Sequence, residues 1–322
     1  MKRRKRCVSA LDLFAGIGGS SHGARLAGVQ VKAAVDVWNL ARDTYVDNHP
    51  GVHFFGGKCE YLSAAKVRRD IGAIDLIIAS PECTSHTCAK GSARRSEASR
   101  RTAFEVVRFA RKLKPRWIIV ENVVHMRSWT RYRTWIAALE RLGYKVREQV
   151  LNAAEFGVPQ SRRRLFVICD LGTMPPEVMP TCHQKRRAAS IIHHDGFRFS
   201  PLWTRGRAAP TIERAERAIS AVGDNKPFLL VYYGSDAAGG WQRLEAPLRT
   251  ITTLDRFALV RPNKHGHEMR MLQIPELKRA MGFPNSYVLR HGTRRDRIKL
   301  LGNAVCPPVM RAVVRTLTAT KS

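Results

Sequence analysis

The sequence predicts an α/β fold built on a mostly parallel sheet, joined to a smaller unit that is mostly irregular or β. Three features carry that expectation. Short apolar runs alternate with helical patterns through the first half of the chain. A glycine-rich turn, Gly16-Ile17-Gly18-Gly19, sits where the first apolar run gives way to the first helical pattern, the place where open α/β sheets form a ligand crevice. Near Gly172 the alternation stops, because Pro175, Pro176 and Pro180 break any regular element.

The elements follow in order. Val8 to Phe14 reads as a strand, Ser20 to Ala27 as a helix, and Val31 to Val35 as a second strand. A helix through Leu40 to Asn48 precedes an apolar stretch at Val52 to Phe55. Ile74 to Ala79 is a near-continuous apolar run, as expected of a strand buried on both faces. From Ser99 to Lys114, Ala103, Val106, Val107 and Ala110 recur at helical spacing, and Pro115 closes the segment. Trp117 to Val120 is another buried strand, and Trp135 to Leu142 an amphipathic helix stopped by Gly143. Lys145 to Leu151 and Leu165 to Cys169 complete the sheet. Beyond Gly172, Phe228 to Tyr233 and Leu248 to Thr253 read as strands. Asp296 to Thr318 returns to a helical pattern interrupted at Pro307-Pro308.

Composition bounds the function. With 322 residues, 44% hydrophobic and 25% charged, the chain is long enough for a real core and is not a disordered polyelectrolyte. No apolar run reaches the ~18 residues of a membrane span, and Met1 to Arg6 lacks the form of a signal peptide. The 56 basic and 26 acidic side chains give a net charge of +30, which points to a polyanionic partner, nucleic acid first. The basic run Lys2 to Arg6 reads as a phosphate-binding arm. Seven cysteines without a C-x-x-C pair support neither a zinc ribbon nor a disulfide framework and fit a reducing, cytoplasmic setting. Cys182-His183 with His193-His194 is the nearest approach to a metal cluster, and it lacks a second thiol, so no metal is expected.

Four short segments carry chemistry. Asp36 ends the second strand about twenty residues after the glycine turn, where a carboxylate can accept ribose hydroxyls; with no Walker lysine, the turn suits a nucleotide-like cofactor more than a phosphate cradle. Ser80-Pro81-Glu82-Cys83 puts a thiol just past a strand tip, either a nucleophile or an inert core cysteine. Glu121-Asn122 follows the next strand; a carboxyl buried there has a raised pKa and can donate a proton near neutrality, whereas an exposed one would be a cap. In Gln160-Ser161-Arg162-Arg163-Arg164, strand alternation sends Arg162 and Arg164 to one face and Arg163 to the other; a solvated basic run is the competing reading.

Taken together the chain resembles the DNA (cytosine-5) methyltransferases. The resemblance rests on Phe14-Ala15-Gly16-Ile17-Gly18-Gly19, Pro81-Glu82-Cys83, Glu121-Asn122-Val123, Gln160 to Arg164, Arg270 with Met281 to Pro284, and Gly302-Asn303-Ala304-Val305, in that order over nearly the whole chain. It implies a Rossmann-like AdoMet-dependent domain over residues 1–172, completed by a C-terminal helix at 297–322, and a small target-recognition domain over 173–296. It further implies that Cys83 adds to C6 of a cytosine flipped from duplex DNA, that Glu121 engages N3, and that C5 takes the methyl group of AdoMet to give 5-methylcytosine. Arg164 would contact the base carbonyl, Arg162 the adjacent phosphate or loop, and Asn122 would hold the Glu121 loop. For AdoMet (S-adenosyl-L-methionine), the resemblance assigns Phe14, Ala15, Gly16, Ile17, Gly18, Gly19, Asp36, Val37, Pro81, Asn303 and Val305. The expected partners are double-stranded DNA and a cognate restriction nuclease, with a monomeric, cytoplasmic protein of prokaryotic or phage origin and no membrane association.

Three departures stand out. Glu82 occupies the position before the nucleophile where the family has proline, Gly57-Lys58-Cys59 replaces the expected acid after the third strand, and the acid on the second strand is Asp36 instead of glutamate. Two other readings stay open: the same chemistry on transfer RNA, whose C-F-T loop is absent because Thr84-Ser85-His86 follows Cys83, and a silent DNA-binding relative. Within 172–267, Tyr232-Tyr233, Trp241 and Pro247 to Thr253 resemble the framework of the variable recognition region, with Thr250 to Thr253 expected against phosphates flanking the target base.

Overall fold

A computed structural model describes residues 7–82, 101–233 and 239–319; Cys83 and the arm Lys2 to Arg6 lie outside the described residues. The first half forms β1 (Ser9–Leu13), α1 (Gly19–Leu26), β2 (Gln30–Asp36), α2 (Asn39–Asn48), β3 (His53–Gly56), α3 (Ala64–Ile71), β4 (Leu76–Ala79), α4 (Ala103–Leu113), β5 (Trp117–Asn122), α5 (Tyr132–Glu140), β6 (Lys145–Asn152) and β7 (Arg163–Asp170). These strands make one seven-stranded sheet in the order β3-β2-β1-β4-β5-β7-β6. The pairs from β3 through β5 are parallel, and β7 runs antiparallel to both β5 and β6. The strand order reverses between β1 and β4, which opens a crevice at the carboxyl ends of those two strands.

The near-continuous apolar runs are explained by burial on both faces. Leu11, Ile77, Ile118 and Val167 point into one core with α3, α4 and α5. Ala10, Ile78, Ile119 and Phe166 point into the other, with α1 and the last helix. By the same period of two, Asp12 and Glu121 share a face with Ala10 and Ile119. Because β7 is antiparallel, its first residues lie at the carboxyl end of β5, with Asn122 opposite Leu165 and Glu121 opposite Phe166.

The second half holds β8 (Ser200–Pro201), α6 (Ala209–Val222), β9 (Phe228–Val231), β10 (Trp241–Arg243), β11 (Phe257–Asn263), β12 (Gly266–Met271), α7 (Ile274–Ala280), α8 (Arg294–Asn303) and α9 (Pro307–Ala319). Its five strands form an antiparallel sheet in the order β10-β9-β11-β12-β8. Helix α6 covers that sheet, burying Ala215, Ala218 and Val222 with Phe228, Leu230 and Val260. The stretch read as irregular therefore contains a helix of 14 residues. Leu248 to Thr253, expected as a strand, forms only an isolated bridge between Leu248 and Gln160. Its polar groups are satisfied elsewhere: the Ser161 amide donates to the Leu248 carbonyl at 2.7 Å, and the Ile251 amide to Gln160 Oε1 at 2.9 Å.

The tandem prolines open α9 instead of merely interrupting a helix, since the first turn has no use for the missing amide hydrogens. Helix α9 packs directly on α1, and two glycines allow it. A Cβ on Gly23 would come within 2.5 Å of the Pro307 carbonyl oxygen, and one on Gly19 within 2.2 Å of the Val305 carbonyl oxygen.

Candidate active site

The turn after β1 is built from left-handed residues, with φ of 57° at Phe14, 54° at Gly16 and 86° at Gly18. The Ala15 amide donates to the Val35 carbonyl at 3.0 Å, and the Gly18 amide to the Ala15 carbonyl at 2.9 Å. Asp36, at the end of β2, accepts from the Gly16 amide on Oδ2 and from the Trp38 amide on Oδ1, both at 2.8 Å. Burial raises its pKa above the usual carboxylate value; the amides of Trp38, Gly16 and Val37 oppose the rise, and nearby Glu82 reinforces it. Among the described residues a Cβ on Gly16 would meet nothing within 4 Å, so that side of the turn is open to them beside a carboxylate that still has lone pairs to offer. Ile17 and Gly19 are buried, Val37 is exposed, and Phe14 packs in part against the β-sheet core. From the far end of the chain Val305 is buried against Gly19, whereas Asn303 is exposed.

At the tips of β4 and β5 a second group gathers. Glu121 is buried, and its Oε1 lies 3.3 Å from Arg164 Nε. Burial pushes the Glu121 carboxyl above the usual range, while Arg164, Arg162 and the Ser80 hydroxyl pull it back. Asn122 Oδ1 accepts from the Val123 amide at 2.8 Å, within its own loop. Its Nδ2 donates to the Pro81 carbonyl at 3.0 Å, which ties β5 to the chain two residues before Cys83. Arg162, Arg164 and Glu121 line one narrow cleft, and Arg163 is exposed, as strand alternation requires.

Arg162 contacts neighbouring loops. The side chain is 3% exposed, and its guanidinium donates to the carbonyls of Ile251 at 2.9 Å, Gly302 at 2.7 Å and Ala304 at 3.1 Å. So placed it braces the start of β7 against the two segments that close the site. Gln160 works beside it, donating to the Ala280 carbonyl at 3.0 Å. Sequence reasoning missed Cys306, which lines the same cleft. Burial lifts its thiol to about 11, with Arg162 and Arg164 opposing and Glu121 adding to the rise, so it is a protonated, inert wall of the cleft. Asp12 was also passed over. It is wholly buried beneath the turn, Ser21 donates to its Oδ2 at 2.6 Å, and burial raises its pKa to about 7.

A reversing parallel sheet with one antiparallel strand, a left-handed turn backed by an acid, and a buried carboxyl facing arginine on the same edge define a Rossmann-like methyltransferase fold. The chain matches the family model for C-5 cytosine-specific DNA methylase over residues 8–319, and it belongs to that family. The type II methyltransferase M.AgeI of Thalassovita gelatinovora is 28% identical over 291 residues, covering 87% of this chain and 65% of its own. M.NlaX of Neisseria lactamica is 26% identical over 340 residues, covering 97% of this chain and 96% of its own. The chain thus spans less than two thirds of the length of some relatives and nearly all of others. Among solved structures, a putative DNA modification methyltransferase encoded within an Escherichia coli prophage has a TM-score of 0.70 at 18% identity, covering 97% of this chain and 99% of its own. DNMT2 of Spodoptera frugiperda, in a mutant form, has a TM-score of 0.71 at 19% identity, covering 97% and 99%. Membership of the family implies an AdoMet-type methyl donor. No helix among the described residues is long and apolar enough to cross a membrane.

Proposed function

We propose that this protein methylates C5 of cytosine in double-stranded DNA. The observation that carries the reading is the convergence, at one edge of the sheet, of buried Glu121 with Arg164 and of the open Gly16 turn with Asp36. The turn fits AdoMet: Asp36 would take the ribose hydroxyls and the glycine backbone would lie against the methionine portion. AdoMet supplies an electrophilic methyl group when bound. The remaining steps belong to the chain. The basic surface holds the duplex through its phosphates, and the target base leaves the stack to reach the cleft.

Cys83, as thiolate, adds to C6. Glu121 holds a proton at N3, so that charge from the addition is relieved and C5 becomes nucleophilic. Arg164 pairs with the buried carboxyl and would receive the O2 carbonyl of the base. After methyl transfer, loss of the C5 proton and expulsion of Cys83 release 5-methylcytosine. Residues 173–296 would read the target sequence, and a restriction nuclease cutting the same site in a bacterial cytoplasm fits the type II relatives.

The test is incubation with tritiated AdoMet and either duplex DNA or transfer RNA. Label in duplex DNA, mapped to C5 of cytosine by bisulfite sequencing, is the expected result. Label confined to RNA, or absent from both, overturns the proposal.

A further inference from the structure

Beneath the turn, two segments 270 residues apart meet. The Tyr287 hydroxyl donates to the Ile17 carbonyl, and His49 Nε2 lies 3.1 Å from the same hydroxyl oxygen. The protons of this cluster can be assigned by elimination. A carbonyl only accepts, so Tyr287 gives its single proton to Ile17. His49 Nε2 must then be the donor to Tyr287, which leaves Nδ1 to accept from Arg25 Nη1 at 3.2 Å. His49 is therefore neutral, in keeping with burial and the adjacent Arg25 and His22, which lower its pKa to about 3.

The peptide between Ile17 and Gly18 is thus held at both ends, its carbonyl by Tyr287 and its amide by the Ala15 carbonyl at 2.9 Å. It joins Ile17 to left-handed Gly18, and the glycine leaves that peptide plane freer to reorient unless it is held. The space under it is closed. A Cβ on Gly18 would come within 2.4 Å of His49 Nε2 and 2.9 Å of Tyr45 Cδ2. The segment carrying Tyr287 is itself strapped to the end of α2. The Val288 amide donates to Asn48 Oδ1 at 2.7 Å, Asn48 Nδ2 donates back to the Val288 carbonyl at 2.8 Å, and Asp47 pairs with Arg290 at 3.0 Å.

We propose that Tyr287, oriented by His49, is a positioning residue for the cofactor: its hydroxyl fixes the Ile17–Gly18 peptide so that the turn is shaped for AdoMet before binding. The proposal rests on the AdoMet-dependent reading above. It ties cofactor affinity to a strap from the second half of the chain.

The experiment is calorimetric binding of AdoMet and S-adenosylhomocysteine to full-length protein, with steady-state kinetics and thermal unfolding in parallel. Tyr287→Phe removes one hydroxyl at unchanged ring volume. It should weaken AdoMet binding and raise its KM by about five- to tenfold, with kcat within about twofold of wild type. His49→Gln, which keeps a donor to Tyr287, should remain within about twofold, whereas His49→Leu should approach the Tyr287→Phe value. Asn48→Ala loosens the strap without touching the cluster and should raise KM by about threefold. Unchanged Kd and KM in Tyr287→Phe, with or without a lower Tm, overturn the proposal, as does an equal fall in kcat and kcat/KM. If the wild-type protein binds neither compound, the methyltransferase reading falls as well. If it binds both and only the variants behave as wild type, this inference alone fails.

Discussion

Arg162 and Arg164 lie two residues apart on one face, yet their replacement by alanine should give opposite signatures. Arg162 is 3% exposed and satisfies three main-chain carbonyls, those of Ile251, Gly302 and Ala304. Each buried carbonyl left without a donor costs about 1–3 kcal/mol, and water entering the space vacated by the side chain recovers part of that. Arg162→Ala should therefore destabilise by about 3–5 kcal/mol, a fall in Tm of about 4–7 °C for a chain of this size. Among the described residues Arg164 donates to the Arg163 carbonyl at 2.9 Å and pairs with Glu121 at 3.3 Å, and its side chain is 17% exposed. Losing it favours the protonated form of the buried Glu121 carboxyl, which limits the cost, so Arg164→Ala should destabilise less than Arg162→Ala while methyl transfer falls on the order of 100-fold. Urea unfolding followed by tryptophan fluorescence, alongside single-turnover methylation, separates the two. If Arg162→Ala stays within 1 kcal/mol of wild type but loses activity as Arg164→Ala does, the brace is wrong and Arg162 acts on substrate.

Other outcomes follow from the same geometry. Removing the Arg164 charge should lift the Glu121 pKa, so the alkaline limb of the pH–rate profile moves to higher pH in Arg164→Gln; a shift downward would contradict Glu121 as the proton holder. Asp12 titrates near 7 when folded and near 3.8 when unfolded, so the native state binds more protons between those values. Its contribution is complete below pH 3.8 and is lost as pH rises through 7; Asp12→Asn should abolish that slope and stabilise the protein at pH 8 by up to about 4 kcal/mol in chemical denaturation. Gly19→Ala should cost about 3 kcal/mol or more, because its Cβ would sit 2.2 Å from the Val305 carbonyl oxygen. Gly16→Ala meets no atom within 4 Å and should cost about 1–2 kcal/mol for its left-handed φ, the main effect being a raised KM for AdoMet; equal loss of stability in the two would argue against the packing described.

What was legible in the sequence was whatever the chain states locally. The apolar runs at Ile74 to Ala79 and Trp117 to Val120 announce strands buried twice over, and β4 and β5 occupy them. The spacing of Arg162 and Arg164 announces a shared face, which the cleft confirms. What escaped depends on contacts between distant segments. Helix α3 sets Ala64, Val67 and Ile71 at helical spacing, but over only eight residues with charged side chains between them, which makes the pattern easy to pass over. Leu248 to Thr253 has strand composition, but its hydrogen bonds go to Gln160 and Ser161, which no local pattern reveals. Arg162 reads as a contact for the adjacent phosphate or loop, but its bonds to the Gly302 and Ala304 carbonyls, about 140 residues away, have no local signal. Cys306 and Tyr287 have no signal of their own near the motifs they support.

The account turns on a transient bond between a cysteine sulfur and a pyrimidine carbon. Duplex DNA carrying 5-fluorocytosine at the target blocks the last proton loss, so in the presence of AdoMet the enzyme should remain attached through denaturing electrophoresis. Wild type and Cys306→Ser should both form that complex, and Cys83→Ser should form none. An adduct that survives in Cys83→Ser, or one that vanishes in Cys306→Ser, contradicts the assignment of the nucleophile and the mechanism built on it.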